Sequence, residues 1–167
     1  MTDKKFYAKI VANETVLNAT NFVEVKMATI MRKMNIISRC EANYRTEKST
    51  VGLAGIYHSY VLAICKNPGL PQEKLVQYLC INKSNVTRHL AHLELEGYVE
   101  RRTSDSDKRE TLVFPTQRMY DILSEVKAIT LDWNSRLAEG IDAEDLKLFH
   151  EILDKMLDKA IEIEEVK

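Results

Sequence analysis

One short hairpin pattern inside an otherwise helical chain limits the folds open to this sequence. Tyr98–Thr103 (YVERRT) and Glu110–Phe114 (ETLVF) are brief β-prone runs on either side of the polar hexapeptide Ser104–Arg109, SDSDKR. Branched and aromatic residues flanking a Ser/Asp cluster predict two antiparallel strands with a charged tip. What precedes the hairpin is helical and strongly punctuated. Asn67-Pro68-Gly69 ends one helix, and Pro71 opens another (PQEKLVQYL), where its missing N–H is no loss. Leu75, Val76 and Leu79 give that short helix an apolar side. After a tight connection at Cys80-Ile81, Asn82 is placed to cap a third helix running to Glu96, with Gly97 as its terminator. Its inward positions are expected at Val86, Leu90, Leu93 and Leu95.

Longer helices flank this unit. The first fifty residues read as helix, with Val23, Met27, Ile30, Met31, Met34 and Ile37 at three- and four-residue spacing and Glu24, Lys26, Arg32 and Lys33 on other faces. The polar run Glu41–Thr50 predicts a break, and a second helix is expected from Leu53 to Lys66. Beyond the hairpin, Pro115-Thr116 stops the strand and Thr116 is placed to cap the next helix. Met119, Ile122, Leu123, Val126, Ile129, Trp133 and Leu137 stripe that helix, which Gly140 ends. Asp142 opens a last helix striped by Leu146, Phe149, Ile152, Leu153, Met156 and Ile161. With 5 Gly and 3 Pro in 167 residues there is little material for a many-stranded fold. The expected fold is mainly α with a small β-hairpin wing: a winged helix-turn-helix flanked by long N- and C-terminal dimerisation helices. Residues 1–50 form the N-terminal helical segment, 51–116 the winged helix-turn-helix and 117–167 the C-terminal helical segment.

Three helices and a hairpin in this order suit duplex DNA: a helix fits the major groove while a hairpin follows the backbone towards the minor groove. A formal net charge of −1 gives no overall argument for nucleic acid, so the case rests on where charge is placed. From Lys74 to Leu93 there is no Asp or Glu, although the chain holds 25 of them, and Lys74, Lys83, Arg88, His89 and His92 fall inside that window. Lys83, Ser84, Asn85, Thr87 and Arg88 open the proposed recognition helix, with His92 further along, and combine short hydrogen-bonding groups with long cations suited to base edges and phosphates. In the hairpin, Asp107 orients a tip carrying Lys108 and Arg109, and Arg109 is the candidate for the minor groove. Arg101 and Arg102 alternate across the strand, so one faces DNA and the other an acidic internal partner; Arg101 is taken among the DNA-binding residues. An ordinary capped helix start and a charged turn would share these compositions singly, but the joint arrangement favours DNA.

The run from Asn67 to Thr116 resembles the DNA-binding core of the MarR (multiple antibiotic resistance regulator) family. The features that carry it are Leu75 and Leu79, the Ser84-Asn85-Val86-Thr87-Arg88 stretch, Leu93-Glu94 before Gly97, Arg101, the Asp107-x-Arg109 wing signature and Thr116. Two positions depart from the pattern: Pro115 stands for a common apolar residue, and Met119 where a glycine often follows the helix start. The resemblance implies a homodimer built by the flanking helices, a pseudo-palindromic operator, regulation usually by repression, and release by a small ligand in many members.

Dimerisation also follows from the outer stripes, which include Ile30, Met34, Trp133, Phe149, Ile152 and Met156 and exceed what a small reading head needs; the alternative is that they wrap the head within a monomer. The acidic Glu162, Glu164 and Glu165 belong at the end away from DNA. An effector pocket between the dimer helices and the head is expected to use Met31, Asn35, Tyr57 and His58, which equally suit packing. His58, His89, His92 and His150 do not form a metal-binding spacing, and Cys40, Cys65 and Cys80 make no C-x-x-C pair. Cys40 beside Arg39 raises thiol redox sensing, against the commoner buried, inert thiol. No catalytic constellation, cofactor motif, membrane span or leader at Met1–Ile10 is expected, and a reducing cytoplasm is the default. The partners are therefore double-stranded DNA, a second copy of the chain and a small-molecule effector. The competing reading is a winged-helix module that contacts proteins and leaves DNA alone.

Overall fold

In the computed structural model the chain is described over residues 22–165. The helical reading of residues 1–21, the leader question at Met1–Ile10, and the side chains of Val23, Glu24 and Glu165 lie outside the described residues. The helices are α1 (Phe22–Lys48), α2 (His58–Lys66), α3 (Gln72–Leu79), α4 (Lys83–Leu95), α5 (Gln117–Leu137) and α6 (Ala143–Glu165); the strands are β1 (Leu70–Pro71), β2 (Val99–Thr103) and β3 (Thr111–Pro115). Two compact units result, Met1–Val126 and Lys127–Lys167.

The break expected over Glu41–Thr50 comes only at the end of that run: α1 continues to Lys48 and the chain leaves helix from Ser49. Within that run Glu41, Ala42, Tyr44 and Arg45 are half-buried and Asn43, Thr46, Glu47 and Lys48 exposed, and the polar side chains support the helix locally. Arg45 pairs with Glu41 one turn back, the Thr46 hydroxyl donates to Ala42 O at 2.9 Å, and Arg45 and Lys48 lie favourably at the C-terminal end of the helix dipole. The following helix starts late for the opposite reason. Leu53 is buried in extended chain, a 3-10 turn spans Gly55–Tyr57, and α2 begins only at His58.

A strand that the sequence did not signal follows Gly69. Leu70 pairs with Val113 and Pro71 with Leu112, making a three-stranded antiparallel sheet in the order β1-β3-β2. Pro71 is thus a strand residue and the N-cap of α3 rather than its first helical residue, a position open to proline on a sheet edge. β2 pairs with β3 from Val99↔Pro115 to Thr103↔Thr111. Thr116 does not cap α5 with its hydroxyl, which lies 2.7 Å from Gly97 O and 3.0 Å from Tyr98 O. It pins the start of the hairpin to the start of α5, and its main-chain carbonyl receives the Met119 and Tyr120 N–H groups.

The core of the first unit joins α2 to α5 and the sheet. Tyr60, Val61 and Ile64 of α2, Leu75 of α3, Val86, Leu90 and Leu93 of α4, Val99 and Val113 of the sheet, and Met119 and Val126 of α5 are buried. Each such side chain contributes roughly 1.5–3 kcal/mol relative to exposure. Leu95 does not join them and is 83% exposed. It lies two residues past Leu93, about 200° around the helix, so both cannot face one core. Gly97 takes the left-handed φ of +73° that closes α4 and turns the chain directly into β2.

In the second unit, α6 carries Leu146, Phe149, Ile152, Leu157 and Ile161, all exposed within the single chain. Of the stripe expected from the spacing, Leu146, Phe149, Ile152 and Ile161 are therefore exposed, whereas Leu153 and Met156 are half-buried. On α1, Ile30, Met31, Met34 and Ile37 are exposed in the same way.

Candidate nucleic-acid interface

The short turn between α3 and α4 sets the geometry. Cys80 adopts a left-handed conformation at φ 51°, rare for a residue with a Cβ, and returns its N–H to Gln77 O. Asn82 then caps α4: its Oδ1 accepts from Asn85 N at 2.8 Å, an interaction worth about 1 kcal/mol. The inward spacing of Val86, Leu90 and Leu93 turns Lys83, Ser84, Thr87, Arg88 and His92 outwards, and all five are exposed.

Their contacts differ. Lys83 Nζ donates to Glu73 Oε1 at 2.8 Å. The Thr87 hydroxyl donates to Lys83 O at 2.9 Å and accepts from Gln72 Nε2 at 3.1 Å. Arg88 donates to the half-buried Asn85 at 3.1 Å. The His92 ring lies 5.0 Å from that of Tyr57. His89 does not belong with the exposed cations. It is buried, its Nδ1 is 3.0 Å from the Tyr60 hydroxyl, and burial, then Arg88 and His92, holds its pKa below 6.5. The same burial, followed by Tyr57, pushes the Tyr60 phenol up to about 12.

In the wing, Asp107 shapes the tip. Its Oδ1 accepts Arg109 N at 2.9 Å and its carbonyl accepts Glu110 N at 2.9 Å, while buried Ser104 donates its own N–H to Glu110 O. Lys108 lies 3.4 Å from Asp105. The Arg109 side chain is exposed and has no ion pair or hydrogen bond among the described residues. Arg101 turns inwards: Nε and Nη2 donate to Glu94 Oε2 at 2.9 and 2.5 Å, and its main-chain N–H donates to Glu94 Oε1 at 3.1 Å. That cation holds the Glu94 carboxyl below the usual range and fastens β2 to α4. Arg102 pairs with Glu100 at 2.6 Å and stacks over Phe114 at 4.7 Å. Of the two strand arginines, Arg101 is thus the one on the acidic internal partner.

The first turns of α3 and α4 and the wing border an open cavity of about 500 Å3 lined by Gln72, Glu73, Lys83, Asp107, Arg109, Glu110 and Thr111. Gln72 and Glu73 were missed in the sequence because they lie just outside the acid-free window. Their position at the start of α3, fixed by Pro71, was the available signal.

The four residues expected at an effector pocket are not gathered within one chain. α1 meets the 3-10 turn at Ala42–Thr46, where Gly55 N donates to Thr46 Oγ1 at 2.8 Å. Met31 and Asn35 lie about 16 and 10 Å back along the helix axis from Ala42 and are exposed. Tyr57 packs against Tyr60, His89 and His92. His58 is fully buried, and neither ring nitrogen makes a well-formed hydrogen bond. Burial and then Arg45 lower its pKa, while the Leu53 backbone and Glu125 pull the other way. Cys40 and Cys65 are half-buried and Cys80 exposed, and none of the three is in a disulfide. Among the described residues no group of three His, Cys, Asp or Glu could hold a metal ion, and no helix is long and apolar enough to cross a membrane.

Comparison with known proteins points one way. Residues 51–110 match the model of the MarR family. The HTH-type transcriptional regulator YybA of Bacillus subtilis (strain 168) is 26% identical over 93 residues, a match covering 55% of this chain and 62% of that protein. Among solved structures, a MarR transcriptional regulator from Methanosarcina mazei Go1 superposes with a TM-score of 0.71 at 24% identity, covering 80% of this chain and 97% of that one. A MarR-family regulator from Listeria monocytogenes, solved with 26mer DNA, also gives 0.71 at 24% identity, covering 77% and 87%.

Proposed function

We propose that this chain, whose residues 51–110 match the model of the MarR family, is a transcriptional regulator that binds a pseudo-palindromic operator as a homodimer and acts as a repressor. The observation that carries the reading is the acid-free outer face of α4 beside a wing whose Arg109 is uncommitted within the chain. Ser84, Asn85, Thr87 and Arg88 face the major groove, with Lys83, His92 and Lys108 on the backbone and Arg109 in the minor groove. Arg101 and Asp107 act one step back: the first holds β2 to α4 and the second shapes the tip that presents Arg109. The Listeria monocytogenes relative, with its 26mer DNA, supports this use of the fold.

A second copy is the natural cover for the exposed apolar residues of α6 and α1, and a two-fold axis sets two heads on half-sites about one helical turn apart. The reading is of a regulator and not an enzyme. A small-molecule effector would release it, with Tyr57 and the under-bonded His58 the residues of this chain best placed to sense it.

The test is binding to duplexes from its own promoter region at several salt concentrations. Affinity should fall steeply with salt, and Arg109→Ala should weaken binding and flatten the salt dependence by about one released cation per head. Indifference to every duplex, with a protein partner bound instead, would leave the protein-contact reading standing in its place.

A further inference from the structure

The acid-free stretch of the reading head is bounded by Glu73, and Glu73 is where Lys83, the first cation of α4, is held. Lys83 Nζ sits 2.8 Å from Glu73 Oε1, ten residues away in sequence and across the turn between α3 and α4. Both side chains are about three-quarters exposed and both line the cavity that Arg109 enters from the wing. Three carboxylates line that cavity, but their commitments differ. Asp107 Oδ1 is taken by a main-chain N–H of the wing, whereas Glu73 pairs with a cationic side chain. Lys83 lowers the pKa of the Glu73 carboxyl, first through the hydrogen bond and then through its charge, so the acid is ionised at neutral pH.

We infer that Glu73 is an affinity-limiting counter-ion: it occupies Lys83 in the free protein, and a DNA backbone phosphate has to displace it. The inference rests on the DNA-binding reading above. An exposed ion pair is weak enough to be exchanged for a phosphate, so the pair sets the affinity and does not block the site. Its exchange leaves a free carboxylate beside the phosphate, and that carboxylate takes up a cation as Lys83 releases one from DNA. Each head therefore releases fewer counterions than its cations would suggest. An affinity kept modest in this way keeps a regulator from being trapped on bulk DNA, where phosphates are everywhere.

The effect does not depend on base sequence, so a mixed-sequence duplex of about 30 base pairs, long enough for two heads a turn apart, serves as the probe. Wild type, Glu73→Gln, Lys83→Gln and the double variant are titrated with it across a range of salt, after confirming unchanged thermal midpoints. Glu73→Gln should tighten binding by about two- to fivefold per head and steepen the salt dependence by up to about one cation per head. In the Lys83→Gln background the same change should bring little gain. Weaker or unchanged binding by Glu73→Gln overturns the inference, because Glu73 would then orient Lys83 or do nothing. An equal gain with and without Lys83 also overturns it, because the carboxylate would then act by repulsion alone. Failure of wild type to bind any duplex would overturn the DNA-binding reading itself, a result distinguishable from either.

Discussion

Replacing Gly55 with alanine should be among the most damaging single changes in the chain, for a reason that is steric and not conformational. Gly55 has no positive φ, so its backbone would accept a side chain. The space would not. A Cβ built there falls 2.2 Å from Ala42 O, 2.6 Å from Arg45 Cβ and 2.9 Å from Thr46 N, all on α1. Restoring the first of these to 3.0 Å, the shortest distance real Cβ atoms show, requires the turn to retreat by about 0.8 Å. Two of the three obstacles are backbone atoms of a helix and cannot swing aside. Overpacking of this kind costs about 1–3 kcal/mol, and stretching the part-buried 2.8 Å bond from Gly55 N to Thr46 Oγ1 adds about 1 kcal/mol. The total, roughly 2–4 kcal/mol, corresponds to a fall in thermal midpoint of about 4–16 °C for a chain of this size. The assay is thermal unfolding by circular dichroism at one fixed protein concentration, with Gly97 as the contrast. At Gly97 the φ is +73° and the nearest atom to an added Cβ is 3.9 Å away, so the penalty there is backbone strain alone. Asparagine, which tolerates the left-handed region, should recover part of the loss at Gly97 and none at Gly55. A Gly55→Ala protein that melts within a degree of wild type would refute the reasoning.

Two further outcomes follow from the same geometry. Arg101→Lys should loosen the wing without unfolding the head, because an ammonium cannot reproduce the Nε and Nη2 bonds to Glu94. Faster amide exchange across Val99–Thr103, with a stability loss of only about 1 kcal/mol for this partly exposed pair, is the expected result; unchanged exchange would show the clamp to be idle. Stability should also decline below about pH 6.5. His58 and His89 have folded pKa values depressed by burial, so the unfolded chain binds their protons first; their contribution is complete above 6.5 and is lost as the pH falls towards the folded values. Urea unfolding from pH 7.5 to 5 should show that slope, and His58→Gln should flatten it; an identical slope in the variant would remove His58 from the account. Glu94 and Glu125, whose pKa values are lowered by their partners Arg101 and Thr50, add a separate loss only below about 4.5.

The helices and the hairpin were legible because the information that specifies them is local. Val86, Leu90 and Leu93 share a face by spacing alone, Asn82 caps whatever helix follows it, and Gly97 can stop one with a φ few other residues accept. The acid-free run Lys74–Leu93 likewise lies within one contiguous stretch. Composition misled where a polar run continues a helix instead of ending it, as at Glu41–Lys48, and where a residue near the core stripe turns out to face away, as at Leu95. Tertiary structure alone decided what depends on chain segments meeting in space. Two residues, Leu70 and Pro71, become a strand only because β3 is there to pair with them. Of two adjacent arginines, Arg101 was drawn inwards by Glu94 and Arg102 was left beside Glu100. His89 lost its place among the cations to a tyrosine 29 residues away, and Glu73 met Lys83 across a turn. Periodicity assigns a residue to a face, but what it meets there is settled by the packing of the other elements, which no single stretch of sequence records.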